Sequence, residues 1–244
     1  MLINNNLNTI YNEIDTAVKH GKKLLAVLID PDKISLDNIS FLINKIKQSP
    51  ATHIFIGGSI VTNYIIDEII ILLKKEISLP IILFPGDPSQ ISRYADGILF
   101  LNLISGRNSD YLIGHQVNAV SKLKSTNLEI ISTGYILIDG GKETAVQRVS
   151  QTKPLQVNDI QIIVDTAVAG TWMGNQLIYL EAGSGALHAV SPEVIQQVKS
   201  NINVPLIVGG GIRSAKQIQL AYDAGADIVV IGTAFENDPY FFEK

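Results

Sequence analysis

The chain has 244 residues, of which 46% are hydrophobic and 17% charged, enough apolar material for a sizeable globular core. Nineteen basic residues against 23 acidic ones leave a net charge of -4, which argues against nucleic acid as the main partner, because a phosphate backbone calls for clustered Lys and Arg. The absence of cysteine removes disulfides, thiolate catalysis, zinc fingers and iron–sulfur clusters, and it is compatible with a reducing cytosol.

The start, Met1-Leu2-Ile3-Asn4-Asn5-Asn6, is polar and lacks the basic and apolar regions of a targeting signal. Periodicity predicts a first helix over residues 6–19, with Leu7, Ile10, Ile14 and Val18 on one face and Gly21 as its stop. A first strand over 24–29 ends at Asp30-Pro31-Asp32, and Ser35 is expected to cap a helix running to Lys47. A second strand over 53–56 ends in Gly57-Gly58-Ser59 and is followed by a helix over 63–75. The most apolar stretch, 64–73, is broken by Asp67 and Glu68 and falls far short of the ~20 residues a membrane span needs. The chain therefore reads as soluble and cytoplasmic.

After a third strand over 80–84 the rhythm breaks. About twelve residues containing Pro85, Gly86 and Pro88 precede the fourth strand, 97–101, too few for a full crossover helix. A long helix over 109–124 and a fifth strand over 129–134 follow, then a loop with some helix over 135–155. Asn158 is expected to cap a helix over 159–168. The sixth strand, 176–181, ends in Ala182-Gly183-Ser184-Gly185. Ser191-Pro192-Glu193 opens the next helix. The seventh strand, 205–208, ends in Gly209-Gly210-Gly211, Ser214 caps a helix that Gly225 stops, and the eighth strand, 226–231, ends in Gly232-Thr233. Eight strands alternating with helices, with no linker or repeat, predict one (β/α)8 TIM-type barrel over residues 1–244, with the helix after strand 3 shortened or absent. A doubly wound open sheet is the alternative.

In such barrels the active site lies at the C-terminal ends of the strands. Glycines cluster there on strands 6, 7 and 8, where they let backbone amides approach a ligand. One glycine would read as a tight turn; three clusters on adjacent strands point to phosphate. Two carboxylates stand at strand ends. The Asp-Pro-Asp context of Asp30 favours a helix cap. Glu181 shares a face with Tyr179, and Glu is depleted in strands and seldom buried unpaired. His20, His53, His115 and His188 show no metal spacing. Hard oxygen ligands suit Mg2+, and Asp30 with the Ser59 hydroxyl at the neighbouring strand end can supply such a site. Trp172 and Met173 read as packing residues.

Taken together these residues resemble the geranylgeranylglyceryl phosphate synthase family. The matching segments are Leu28-Ile29-Asp30-Pro31-Asp32-Lys33, Gly57-Gly58-Ser59, Phe84-Pro85-Gly86-Asp87, and the run 100–108. Further along come 133–137, Tyr179-Leu180-Glu181-Ala182-Gly183-Ser184-Gly185, the run 208–213 and Gly232-Thr233. They follow in order along nearly the whole chain. The Gly-Gly-Gly-Ile-Arg piece is common in phosphate-binding barrels, whereas the Tyr-Leu-Glu-Ala-Gly-Ser-Gly and Asn-Leu-Ile-Ser-Gly-Arg-Asn pieces are specific.

The resemblance implies a modified barrel lacking its third helix. It implies transfer of a prenyl group, geranylgeranyl by the family's name, from its diphosphate to the C3 hydroxyl of sn-glycerol 1-phosphate. The product is an archaeal-type ether lipid. Asp30 and Ser59 would bind Mg2+. Tyr179, Leu180, Glu181, Ala182, Gly183, Ser184, Gly185, Gly210, Gly211, Gly232 and Thr233 would hold glycerol 1-phosphate. Glu181, with Tyr179 beside it, would orient or deprotonate the attacking hydroxyl. Part of the family carries a lysine where this chain has Leu28; this chain resembles the second group, and Lys33 is a candidate replacement. The resemblance also implies a homo-oligomer, dimer or hexamer, and leaves room for membrane-surface contact on product release. Competing readings are another phosphosugar barrel enzyme, an isomerase or lyase, or a non-catalytic phosphate-binding barrel. No lysine ends a predicted strand, which weighs against a Schiff-base aldolase.

Overall fold

The computed structural model describes residues 9–59, 61, 65–238 and 240–242. Residues 1–8, the predicted helix start at 63–64 and the final Glu243 and Lys244 lie outside the described residues. Eight parallel strands close into a barrel in chain order. They are β1 (Leu24–Ile29), β2 (His53–Ile56), β3 (Ile81–Leu83), β4 (Gly97–Leu103), β5 (Glu129–Leu137), β6 (Leu177–Glu181), β7 (Leu206–Gly209) and β8 (Ile228–Ile231). Closure is made by β1 against β8, with Leu24 opposite Ile228 and Val27 opposite Ile231.

The strands are apolar on both faces because both faces are covered. One alternate set, including Leu24, Ala26, Phe55, Ile82, Leu99, Leu177, Tyr179, Ile207 and Val230, fills the barrel interior. The other, including Val27, Ile54, Ile56, Ile178, Leu180, Val208 and Val229, packs against the helices. The parity that puts Tyr179 inside also turns Glu181 inward and Leu180 outward.

The helices are α1 (Thr9–Lys19), α2 (Ile39–Lys47), α3 (Ile66–Glu76), α4 (His115–Leu123), α5 (Ala145–Ser150), α6 (Ile160–Trp172), α7 (Pro192–Asn201), α8 (Ala215–Asp223) and α9 (Thr233–Asn237). Between β3 and β4 the chain makes only one short 3-10 turn, Pro88–Gln90, so the outer ring lacks that helix, as predicted. Helix α1 does not belong to the ring. Its Ile10 and Ile14 join the interior core, and Glu129, the first residue of β5, accepts the Ile10 and Tyr11 amides at 2.7 and 2.8 Å.

Ser191 and Ser214 cap α7 and α8 as predicted, through the amides of Val194 and Gln217. Ser35 and Asn158 do not cap. Ser35 precedes a 3-10 turn, Leu36–Asn38, and makes no side-chain cap bond; α6 begins after Asp159. β5 runs three residues past its predicted end, because Tyr135 and Leu137 pair with Tyr179 and Glu181 of β6. The predicted helix over 109–124 opens as a π-helical turn, Asp110–Gly114, before α4. Trp172 and Met173 are corrected from packing residues to surface ones. α6 runs four residues further than predicted, and its last turn leaves them 86% and 73% exposed.

Candidate active site

The C-terminal mouth of the barrel holds a cavity of about 540 Å³ with polar and charged side chains in its wall. Its walls include Asp30, Ser59, Tyr179, Glu181, Ser184, Gly185, Gly210, Gly211, Gly232 and Thr233. Three predicted residues do not line it. Leu180 and Ala182 are buried in the barrel–helix core, and the Ala182 amide is committed to the Gly209 carbonyl. The Gly183 amide is committed to Glu181.

Glu181 is buried, and its Oε1 accepts the Gly183 amide at 2.6 Å. Burial pushes its carboxyl up to about 7, against the pull of that amide and of the Tyr179 hydroxyl. A carboxyl poised near neutrality suits proton transfer at physiological pH. Burial and the Glu181 charge together hold Tyr179 far above the ordinary phenol range, so it stays neutral. Its hydroxyl makes no well-formed hydrogen bond among the described residues.

The glycine loops surround Glu181 because nothing larger fits. Gly210 adopts a φ of +82°, and a β-carbon there would meet the Glu181 carboxylate and lie 2.6 Å from the Gly183 nitrogen. Gly211 has a φ of +68° and lies against the 188–189 backbone. Gly185 and Gly211 line the cavity, and their amides donate to no acceptor among the described residues. Ser184 and Thr233 bring their hydroxyls within 3.2 Å of each other across the loops of β6 and β8. Such a cradle of amides and hydroxyls takes a phosphate.

A second, apolar cleft opens beside the first. It is lined by Phe84, Ile98, Leu99, Leu101, Leu103, Tyr111 and Ala119, among others. The clefts share Gly58, Ser59, Phe84, Tyr135 and Val146. At their junction the Tyr179 ring stacks on Phe84 at 5.4 Å and meets Tyr135 at 5.3 Å. The segment that stands in place of the helix after β3 walls this cleft with Phe84, Pro85, Pro88 and Ile91. The pair of clefts suits a ligand with a polar head and an apolar tail.

Asp30 caps the 3-10 turn Pro31–Lys33, accepting the Asp32 amide through Oδ1. Its Oδ2 lies 3.5 Å from Lys33 Nζ, a loose contact that leaves this oxygen accessible to a metal. Asp30 and Ser59 give hard oxygens to one cavity, and no group of three metal-ligating side chains occurs among the described residues. That donor set fits Mg2+, which takes one or two carboxylates and completes its shell with water and substrate phosphates.

Three further cavity residues were not singled out from the motifs as ligands. Arg213 donates to the Ala186 and Leu187 carbonyls and fixes the loop after β6. Glu236, on α9, pairs with Lys33 at 2.8 Å and accepts the Asp30 amide at 3.2 Å. Position 28, a leucine, faces the cavity beside Gly232.

The fold and site define a (β/α)8 barrel with glycine loops and a buried carboxyl at its mouth and an apolar cleft adjoining it. The model of the PcrB family matches residues 18–244, and the chain belongs to that family. A protein of Flavobacterium johnsoniae named geranylgeranylglyceryl phosphate synthase is 58% identical, with 98% of each chain covered. One of the same name from Pyrococcus abyssi is 40% identical over 92% of this chain and 88% of that one. The crystal structure of (S)-3-O-geranylgeranylglyceryl phosphate synthase from Thermoplasma acidophilum, in complex with its substrate sn-glycerol-1-phosphate, superposes with a TM-score of 0.90 at 31% identity, covering 96% of this chain and 94% of that one.

Proposed function

We propose that this chain is a prenyltransferase that forms the ether bond between a prenyl diphosphate, geranylgeranyl diphosphate by its relatives' name, and the C3 hydroxyl of sn-glycerol 1-phosphate. The observation that carries the reading is the placement of Glu181. It is a buried carboxyl among the glycine loops, in a cavity that shares Phe84 and Tyr135 with an adjoining apolar cleft. The glycine loops hold the acceptor phosphate, and the cleft holds the prenyl tail. Held so, the C3 hydroxyl oxygen bonds to the allylic carbon as the carbon–oxygen bond to diphosphate breaks. The electron pair leaves with diphosphate, and the hydroxyl proton passes to Glu181. Orientation and a positioned base are each recognised contributions to such a step.

Asp30 and Ser59 are the residues that would hold Mg2+. Bound there, the ion supplies positive charge that offsets the charge growing on the departing diphosphate. The need for it is electrostatic. Among the described residues the cavity is lined by the carboxyl groups of Asp30, Glu181, Glu236 and Asp238 against only Lys33 and Arg213 as cations. Two phosphorylated ligands add further negative charge. Asp30→Asn is expected to raise the Mg2+ requirement, and an unchanged metal dependence would leave Asp30 as a cap alone.

The reading extends to a cytoplasmic homo-oligomer, dimer or hexamer, whose product enters phospholipid synthesis. Ile113, Val117 and Val120 make an exposed apolar stripe along the helix that walls the cleft, and Trp172 and Met173 stand exposed at the end of α6. These faces support either contact between copies or contact with a membrane on product release. No helix among the described residues is long and apolar enough to cross a membrane. The test mixes purified protein, Mg2+, labelled glycerol 1-phosphate and geranylgeranyl diphosphate. Metal-dependent organic-extractable product is expected, and shorter and longer diphosphates then rank chain length. Absence of product with every donor, despite bound glycerol 1-phosphate, would overturn the reading.

A further inference from the structure

Lys33 stands where its charge has two uses. Its ammonium is 2.8 Å from Glu236 Oε2 and 3.5 Å from Asp30 Oδ2. All three side chains line the mouth cavity. Glu236 also accepts the Asp30 amide, so the lysine, the end of β1 and helix α9 form one small network. The network exists because the barrel closes: Glu236 follows β8, and β8 pairs with β1.

Asp30 Oδ1 is occupied by the Asp32 amide. Its free oxygen, Oδ2, is the one Lys33 approaches. An ammonium and a divalent cation on one carboxylate oxygen repel each other, and the doubly charged ion takes the oxygen. The four-carbon stem of lysine lets the head relocate without moving the backbone, and lysine serves readily as a point-charge ligand of phosphate. We propose that Lys33 is a relocating diphosphate-binding cation. It rests on Glu236 and Asp30 in the unliganded chain. When Mg2+ takes Asp30 it passes to a phosphoryl oxygen of the donor diphosphate, while Glu236 limits its travel. This deepens the proposed function and rests on that reading for the donor and the metal.

The alternative is a structural ion pair that staples α9 to the end of β1. In that case loss of the pair, a half-exposed lysine on a largely buried carboxylate, would loosen α9, which begins at Thr233, and so weaken the acceptor site. The two roles differ in the sign of their effects. Lys33→Met and Lys33→Arg are compared with the unaltered chain by calorimetric titration with Mg2+ alone, with Mg2+ plus inorganic pyrophosphate, and with glycerol 1-phosphate alone. Lys33→Met is expected to bind Mg2+ alone a few-fold more tightly, because Asp30 has lost its competitor. It is expected to bind pyrophosphate with Mg2+ at least tenfold more weakly, and glycerol 1-phosphate within twofold of the unaltered chain. Lys33→Arg is expected to recover most of the pyrophosphate affinity.

Unchanged pyrophosphate binding in Lys33→Met would overturn the proposal. Equal weakening of all three titrations would overturn it in favour of the staple. Selective loss of glycerol 1-phosphate would overturn it in favour of an acceptor-phosphate ligand. An unaltered chain that shows the expected titrations yet forms no prenyl ether would overturn the proposed function and leave the assignment of Lys33 standing.

Discussion

The two ends of the barrel treat buried polar groups in opposite ways. At the N-terminal end three carboxylates at strand starts each have partners. Glu129 takes two amides of α1. Asp227 accepts the Leu206 amide and pairs with Lys199. Asp96 accepts the Ile81 amide and pairs with Lys74. At the C-terminal end Glu181 is buried with a single amide, the Tyr179 hydroxyl has no well-formed partner among the described residues, and the loops are held in left-handed conformations only glycine adopts cheaply. The first end uses its polar groups for cohesion. The second leaves them unsatisfied for a ligand, as expected where catalysis is placed at the strand C-termini.

The sharpest way to break this contrast is Glu181→Gln. Turnover is expected to fall by roughly 10²–10⁴, the range of a lost general base. The fold should be retained, because the amide side chain still offers an oxygen to Gly183. Stability should move the other way. The Glu181 carboxyl is raised from 4.5 to about 7 in the folded chain. Between those values the folded chain holds a proton that the unfolded chain releases, so stability falls as pH rises from 4.5 and stays lower above 7. A shift of that size corresponds to at most roughly 3 kcal/mol. Thermal melts should therefore show Glu181→Gln gaining on the unaltered chain at pH 8 and matching it near pH 4.5. A variant that is both inactive and less stable at pH 8 would remove the contrast.

Gly210→Ala tests the same end by shape. A β-carbon there meets the Glu181 carboxylate and the Gly183 nitrogen at a φ that already disfavours alanine. The KM for glycerol 1-phosphate is expected to rise at least tenfold, which steady-state kinetics would detect. Glu129→Ala tests the other end. It orphans one buried and one half-buried amide and should cost about 2–4 kcal/mol, lowering Tm by ~5–10 °C without changing KM. A changed KM would mean that α1 reaches the chemistry through the barrel.

The barrel was legible because alternating short apolar runs and helical periods each carry a physical signature, and the glycine clusters marked its mouth. The missing third helix showed as too few residues between Phe84 and Gly97. Where the sequence reading fell short, the cause is tertiary. Tyr135 to Leu137 look like loop until β6 is placed beside them. Trp172 looks like core until the end of α6 is seen to project. The Asp30–Lys33–Glu236 network spans 203 residues between its lysine and the carboxylate of α9, and only closure of β8 on β1 joins it. Leu180, Ala182 and Gly183 belong to the specific motif without lining the cavity: strand parity turns the first outward, and the amides of the other two are already committed.

The finest test of the contrast is in the pH dependence of stability itself. His53, the first residue of β2, is buried at the N-terminal end, and burial pushes its imidazole down from 6.5 to about 4. As pH falls through 6.5 the unfolded chain takes up a proton that the folded chain refuses, so stability falls from 6.5 toward 4. Glu181 has the opposite slope across most of the same window. The two slopes nearly offset each other between about 4.5 and 6.5, so the unaltered chain should show a shallow profile there. Removing either group should uncover the other. Glu181→Gln should become steadily more stable as pH rises through the window. His53→Gln, with no part in the mouth, should become steadily less stable while keeping its KM. Denaturant midpoints at half-unit steps of pH would measure both slopes, and parallel slopes in the two variants would mean that the ends do not titrate independently.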